Sequence, residues 1–208
     1  MRLISVSLIV IYSVLHFACQ SSEAQRNPAN DAPPAASPAP PPVADRFAYP
    51  LGPAENLTQA KDKKDEWYNA QDFGENNHLG EDWNKNSGGD TDCGAPVYAI
   101  AAGRIVFAEN AGPGWGSVVI VEHVLADGTK IESLYGHLRK ISKTSGDVAL
   151  REQLGEVGNA DGKYFCHLHF ELRTEDCPMW RQAGPGYSTD RRGWLDPSDF
   201  IDRQRRGR

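Results

Sequence analysis

His167-Leu168-His169 places two imidazoles two positions apart. In an extended strand such side chains leave from the same face, roughly 6.5 to 7 Å apart along the chain. One can hold a metal while the other stands beside whatever the metal binds. His78 and Asp82 lie four apart in His78-Leu79-Gly80-Glu81-Asp82, a span short enough for an imidazole and a carboxylate to converge on one ion. With His169 they make a two-histidine, one-carboxylate set. Catalytic zinc sites keep three protein ligands and leave the fourth position to water. His137 closes Leu134-Tyr135-Gly136-His137-Leu138 and could face the same cleft. Each residue alone has a plainer explanation: a His and an Asp four apart recur by chance, and a histidine ending a strand is usually a hydrogen-bonded structural group. Their combination is what points to a metal site. His123 has no partner motif and keeps the structural reading. Tyr135 could steady His137, with packing as the stronger alternative.

The elements that must position these residues read as strands. Tyr164 to Arg173 alternates, with Cys166, Leu168, Phe170 and Leu172 on an apolar back and His167, His169, Glu171 and Arg173 on a polar front. Val97 to Ile100, Gly103 to Ala108 and the β-branched run Ser117 to His123 are further strands. Lys130 to His137 follows the turn signal Asp127-Gly128. Asn56 to Asn69 is the one helix candidate, with a mixed-charge, solvated face. There is no internal repeat. The expected fold is mainly β: a single antiparallel sheet or β-sandwich domain with glycine-rich turns.

The 208 residues suit one domain with appendages, and 39% hydrophobic and 9% aromatic content suffices for a core. A net charge of -6 argues against nucleic acid as a partner, since that role needs a basic face. The basic run Arg203 to Arg208 reads as a frayed, solvated tail. Residues 1–24 carry Arg2 and an apolar stretch from Leu3 to Leu15, an export signal too short to span a membrane. Two processing routes stay open. Ala18-Cys19 approximates a lipobox, with His16 where Leu is expected, and would anchor the chain to a membrane through lipid on Cys19. Ser22-Glu23-Ala24 would serve ordinary cleavage. Both export the protein to the periplasm or cell envelope, the lipid route leading to the outer membrane.

Residues 25–46 hold seven of the 14 prolines and cannot fold alone. As polyproline II at about 3.1 Å per residue they reach on the order of 60 to 70 Å, as a tether or a passive linker. Residues 47–208 form the globular domain. Export permits disulfides. With Cys19 set aside, Cys166 and Cys177 can pair across a returning hairpin, leaving Cys93 as a buried thiol. No Cys-x-x-Cys spacing supports a cysteine-rich zinc site. Nothing in the sequence sets an oligomeric state.

Four motifs occur in an order that resembles the LytM/lysostaphin-type zinc metallopeptidases: His78-Leu79-Gly80-Glu81-Asp82-Trp83-Asn84, Pro96 to Gly103, Tyr135-Gly136-His137-Leu138 and His167-Leu168-His169-Phe170-Glu171. The likeness runs from about Phe73 to Phe200 and includes Trp194-Leu195-Asp196-Pro197. It implies one Zn2+ held by His78, Asp82 and His169, with His137 and His167 as catalytic histidines that do not bind the metal. It also implies hydrolysis of peptide bonds, most often the peptide crosslinks of bacterial peptidoglycan. The chain departs from the family pattern at Gly158 to Cys166, where relatives carry a short Gly-Ser-Thr-Gly-type turn, which leaves substrate preference open.

The residue chemistry is compatible with this. A zinc-activated water needs no covalent intermediate, a neutral imidazole can take its proton, and a protonated one can stabilise the oxyanion or protonate the leaving amine. His137 and His167 suit these roles in either order, and Glu171 can hydrogen-bond a ligand. The expectation is an exported zinc metalloendopeptidase. The alternative is a non-catalytic LytM-like regulator that binds cell wall or activates a wall amidase. Such modules typically lack some ligands, whereas all five positions are filled here.

Overall fold

Apolar residues run without interruption through Val118-Val119-Ile120-Val121, which requires cover on both faces of the strand that carries them. A computed structural model, describing residues 39–52 and 66–206, supplies that cover. Its strands in chain order are β1 (Val43–Ala44), β2 (Trp67–Gln71), β3 (Glu81–Lys85), β4 (Pro96–Tyr98), β5 (Gly103–Asn110), β6 (Ser117–Leu125) and β7 (Lys130–Leu138). They continue with β8 (Lys140–Ile141), β9 (Gly146–Val148), β10 (Gln153–Glu156), β11 (Leu168–Thr174) and β12 (Trp194–Leu195), and close with helix α1 (Pro197–Arg206).

The main sheet runs β2-β3-β11-β7-β6-β5-β9, with β12 added to β11 and β1 to β6. A second sheet, β4-β10-β8, flanks it. Every pairing is antiparallel except β1 with β6. The mainly β, antiparallel architecture is the expected one. One face of the main sheet buries Val119, Val121, Tyr135, Leu168, Phe170 and Leu172 with Trp83 and Tyr49, and the other buries Val118, Ile120 and Leu134.

Several expectations change. Of the helix expected over residues 56–69, positions 56–65 lie outside the described residues, and Trp67–Gln71 is a strand paired with β3. Trp67 is buried in the main core there, a tertiary gain that outweighs local propensity. The C-terminal basic run does not fray at once: Arg203 to Arg206 complete α1. The backbone N–H of Asp199 donates to Asp196 Oδ1 at 2.9 Å, so Asp196 caps the helix ahead of Pro197, and Phe200 and Ile201 pack into the core. That Asp-Pro start signal was readable in the sequence.

The expected Cys166–Cys177 pairing is also corrected. Cys166 is bonded to Cys93, with Cα atoms 5.3 Å apart, and Cys177 is a free, buried thiol. Cys177 packs with Leu79 and Trp194, whereas Cys166 faces the loop that follows β3. Asp90 and Asn84 hold that loop and strand end together: Cys166 N–H donates to Asp90 Oδ1, and Asn84 Nδ2–H donates to the Cys166 carbonyl.

Residues 1–38, expected from the sequence to be the signal and most of the linker, lie outside the described residues. The described end of the 25–46 segment contributes β1. Among the described residues no helix is long and apolar enough to cross a membrane.

Candidate metal centre and cleft

β11 lies between β3 and β7, so the three strands that carry Asp82, His137 and His169 are neighbours, and His167 stands one residue before β11. His169 pairs with Asp82 on one side and Gly136 on the other. His78 reaches the same point from a turn just before β3. Asn76 and Asn77 adopt left-handed φ of 51° and 66° there, which asparagine tolerates. Gly80 then lets the turn run against β11: a Cβ at that position would meet the Phe170 carbonyl oxygen at 2.4 Å. Glu81, buried between the two candidate ligands, accepts hydrogen bonds from Trp83 Nε1–H and from the hydroxyl of Ser198 at the start of α1. The ligand segment is thereby fixed to the end of the chain.

The result is a tight cluster of donors. His78 Nε2 and His169 Nδ1 are 3.0 Å apart, His169 Nδ1 and Asp82 Oδ1 3.0 Å, and His78 Nε2 and Asp82 Oδ1 3.4 Å. Three ligands at about 2.0 to 2.2 Å from a tetrahedral zinc stand roughly 3.3 to 3.5 Å from one another, so these residues fit that ion. Burial acts to raise the Asp82 carboxyl, but hydrogen bonds with His169 and His78 overcome it and hold the group well below the usual carboxylate range. Burial acts to lower His169, and contacts with Asp82 and Glu171 reverse this, raising it to about 9. Such a pairing of carboxylates with an imidazolium is what a metal ion would replace.

The face of β11 read as a polar front is buried rather than solvated. His169 Nε2 meets Glu171 Oε1 at 2.9 Å. Glu171 in turn accepts Arg173 Nε–H at 2.7 Å and Trp194 Nε1–H at 2.8 Å. Arg173 is fully buried and also reaches Glu132 and the Met179 carbonyl. Burial would raise Glu171, yet Arg173 and His169 bring it to about 2. Glu132, less well compensated, is pushed up by burial to about 7. His78 lacks such support: its Nδ1 is buried with no partner among the described residues.

His137 and His167 stand across the cluster, their ring centroids 4.7 Å apart. His137 has a left-handed φ of 61°, which turns it off the alternation of β7. It therefore does not share a face with Tyr135, whose hydroxyl accepts the Ile100 N–H in the core. Tyr135 is a packing residue, and His123, buried with its ring between the Ala102 carbonyl and Ser133, is structural as expected. The His137 backbone N–H and ring Nδ1–H both donate to the Trp115 carbonyl, at 3.0 and 3.1 Å. This tautomer leaves Nε2 with a free lone pair. Burial and the neighbouring His169 and His167 lower His137 to about 3, keeping it neutral. His167 is more open. Its Nδ1–H donates to the Phe165 carbonyl at 2.8 Å, and Nε2 lies 3.7 Å from Asp82 Oδ2.

All five candidate residues thus meet, four of them lining a cleft of about 360 Å³ with Trp115, Lys163, Tyr164 and Tyr187 among its other walls. Trp115 and Tyr187 were missed from the sequence. The Trp115 ring stands edge-on to His169, centroids 5.1 Å apart, and Tyr187 covers His78 at 4.9 Å. An aromatic inside Pro113-Gly114-Trp115-Gly116 was the available signal for the first, and nothing local marked the second.

The chain is 38% identical over 86 residues to DD-carboxypeptidase/endopeptidase Mpg of Neisseria meningitidis serogroup B, covering 41% of this chain and 19% of that protein. It is 41% identical over 81 residues to cell division protein DipM of Caulobacter vibrioides, covering 38% of this chain and 13% of that protein. The chain spans less than a fifth of the length of either relative. A solved structure described as a putative peptidase M23 from Pseudomonas aeruginosa is 25% identical, covers 74% of this chain and 54% of that one, and superposes with a TM-score of 0.47. The family model that describes peptidase family M23 matches residues 77–180, half of the chain and all five residues of the site, and the protein belongs to that family.

Proposed function

We propose that this protein is an exported zinc-dependent endopeptidase that hydrolyses peptide bonds, with peptidoglycan crosslinks as its substrate. The observation that carries this reading is the cluster of His78 Nε2, Asp82 Oδ1 and His169 Nδ1 within 3.4 Å of one another beside two imidazoles left free for chemistry. His78, Asp82 and His169 would hold the ion. Zinc supplies a water acidified from a pKa of 15.7 to about 7 and a Lewis acid for the scissile carbonyl.

His137 accepts the proton of the attacking water at Nε2, because its other ring nitrogen is committed to the Trp115 carbonyl. His167 donates from Nε2 to the developing oxyanion or the departing amine, its own Nδ1–H being held by Phe165. Glu171 orients His169, and the buried Arg173 holds Glu171. The name of the Neisseria relative, a DD-carboxypeptidase/endopeptidase, supports peptide hydrolysis. Residues 1–24 support export, with anchoring through Cys19 or cleavage after Ala24 as the routes, and residues 25–46 link the leader to the catalytic domain at 47–208.

The test joins metal analysis to digestion of defined muropeptides. Purified protein binds about one zinc and releases fragments with new amino termini. His78→Ala loses metal and activity together. His137→Ala keeps the metal and loses roughly 10²- to 10⁴-fold in kcat. A zinc-loaded protein inert on every peptidoglycan type that stimulates a partner amidase would replace this reading with the regulatory one.

A further inference from the structure

The cleft contains a feature that metal chemistry does not use. Among the described residues Lys163 is the one lysine or arginine that lines the cleft, and it also lines two adjoining hollows, one with Asn110 and Asp161 and one with Asn84, Asp90 and Phe165. Among the described residues its ammonium has no carboxylate partner within ion-pair distance. Of the carboxylates that line the adjoining hollows with it, Asp161 is bonded to Asn110 at 2.8 Å and Asp90 to the Cys166 N–H at 2.9 Å. The side chain is exposed, but its base is fixed. Lys163 N–H and Tyr164 N–H both donate to the Asn159 carbonyl, and the Asn159 side chain accepts from Gly162 N–H.

The opposite wall makes room for it. Gly114 has φ +88°, and a Cβ there would lie 3.4 Å from Lys163 Nζ and 3.6 Å from the Tyr164 hydroxyl. The ammonium lies 5.7 Å from the centre of the Tyr164 ring, and that ring is 5.1 Å from His137. These two separations keep the ammonium within about 11 Å of the His137 ring, roughly three residues of an extended peptide at about 3.3 Å each. An ammonium with three donors and no carboxylate partner among the described residues, beside an aromatic ring at the wall of the cleft, is suited to one class of group, a carboxylate.

We propose that Lys163 is the specificity-determining residue of the cleft and that it selects peptides carrying a free carboxylate within three residues of the scissile bond. The inference rests on the hydrolytic reading above and adds an acidic peptide as the substrate class. The carboxylate can come from a chain terminus or from an internal side chain, and the chemistry at Lys163 is the same.

The experiment uses the full chain and synthetic crosslinked peptide dimers in three forms: all carboxylates free, only the chain-terminal ones amidated, or only the internal ones amidated. Wild-type protein is expected to favour the free form over one amidated form by about tenfold in kcat/KM, mainly through KM. The amidation that causes the loss identifies the source of the carboxylate. Lys163→Gln should level the three forms while keeping kcat on the disfavoured one, and Lys163→Glu should invert the preference towards a dimer carrying lysine at that position. Equal rates on all three forms with wild-type protein, or a preference that survives in Lys163→Gln, would overturn the assignment and leave the hydrolytic reading intact. No cleavage of any form would remove both.

Discussion

Strand β11 and the turn just before it hold their histidines by different means. His169 is sealed against a buried chain of charges, Glu171 to Arg173 to Glu132, in which each group depends on its neighbour to offset the cost of losing water. His167, two residues earlier, stands at the half-open rim, fixed by backbone hydrogen bonds and by the covalent tie of the adjacent Cys166 to Cys93. The difference fits the proposed labour. A ligand needs one unvarying geometry, which a satisfied buried network supplies. A residue that meets substrate needs access, and a covalent tether fixes its backbone without burying its ring.

This contrast yields expected outcomes that differ in kind. The largest effect should come from the buried side. Arg173→Met leaves Glu171 and Glu132 buried without their cation and should cost about 3 to 5 kcal/mol. A thermal melt should show a fall in Tm on the order of 10 °C. An unchanged melt would mean that the network is not what holds this wall.

Removing the rim tether should cost less. The Cys93→Ser/Cys166→Ser double variant frees a 73-residue separation and should lose about 2 to 4 kcal/mol in denaturant unfolding. Zinc binding should stay near wild type while kcat falls, because the ligand His169 keeps its support and His167 does not. Loss of metal in this variant would show that the two sides are not independent.

A smaller effect is expected at the join between ligand and network. Glu171→Gln should weaken zinc binding by about 10- to 100-fold in a chelator competition with little change in fold, as removal of a partner that orients a metal ligand does. Acidity tests the same join without a substitution. His169 is raised to about 9 by Asp82 and Glu171, so below that pH the metal-free cluster carries a proton that the ion must displace. Zinc affinity should therefore rise with pH, by about tenfold per unit between pH 6 and 8, with one proton released per ion. A flat profile would argue that His169 is already neutral before the metal arrives.

The sequence was most informative where chemistry and local periodicity coincide. His78, Asp82, His137, His167 and His169 stood out only in combination, since each alone has a plainer explanation, and the strands over 103–108, 117–123 and 130–137 followed from β-branched runs and turn signals, whereas β8 to β10 were not expected and β11 begins at Leu168 rather than Tyr164. The Asp196-Pro197 start of α1 was written locally as well, although the helix was not expected. Where residues distant in the chain had to be matched, the sequence fell short. Cys166 lies nearer Cys177 in number but nearer Cys93 in space, because β3 pairs with β11 and brings its following loop along. The 56–69 helix reading failed at Trp67–Gln71 because an aromatic that can bury itself against the sheet outweighs local helical preference.

The sequence alone determined which side chains can bind a metal or move a proton, since those capacities belong to the residue types. Only the tertiary structure decided which of these groups are dry, which are wet and which face one another. Burial and pairing turn Glu171 and Arg173 from a polar strand face into an internal support, and separate a committed nitrogen of His137 from a free one. Those properties depend on what stands within a few ångströms, and strand register, not sequence distance, sets that.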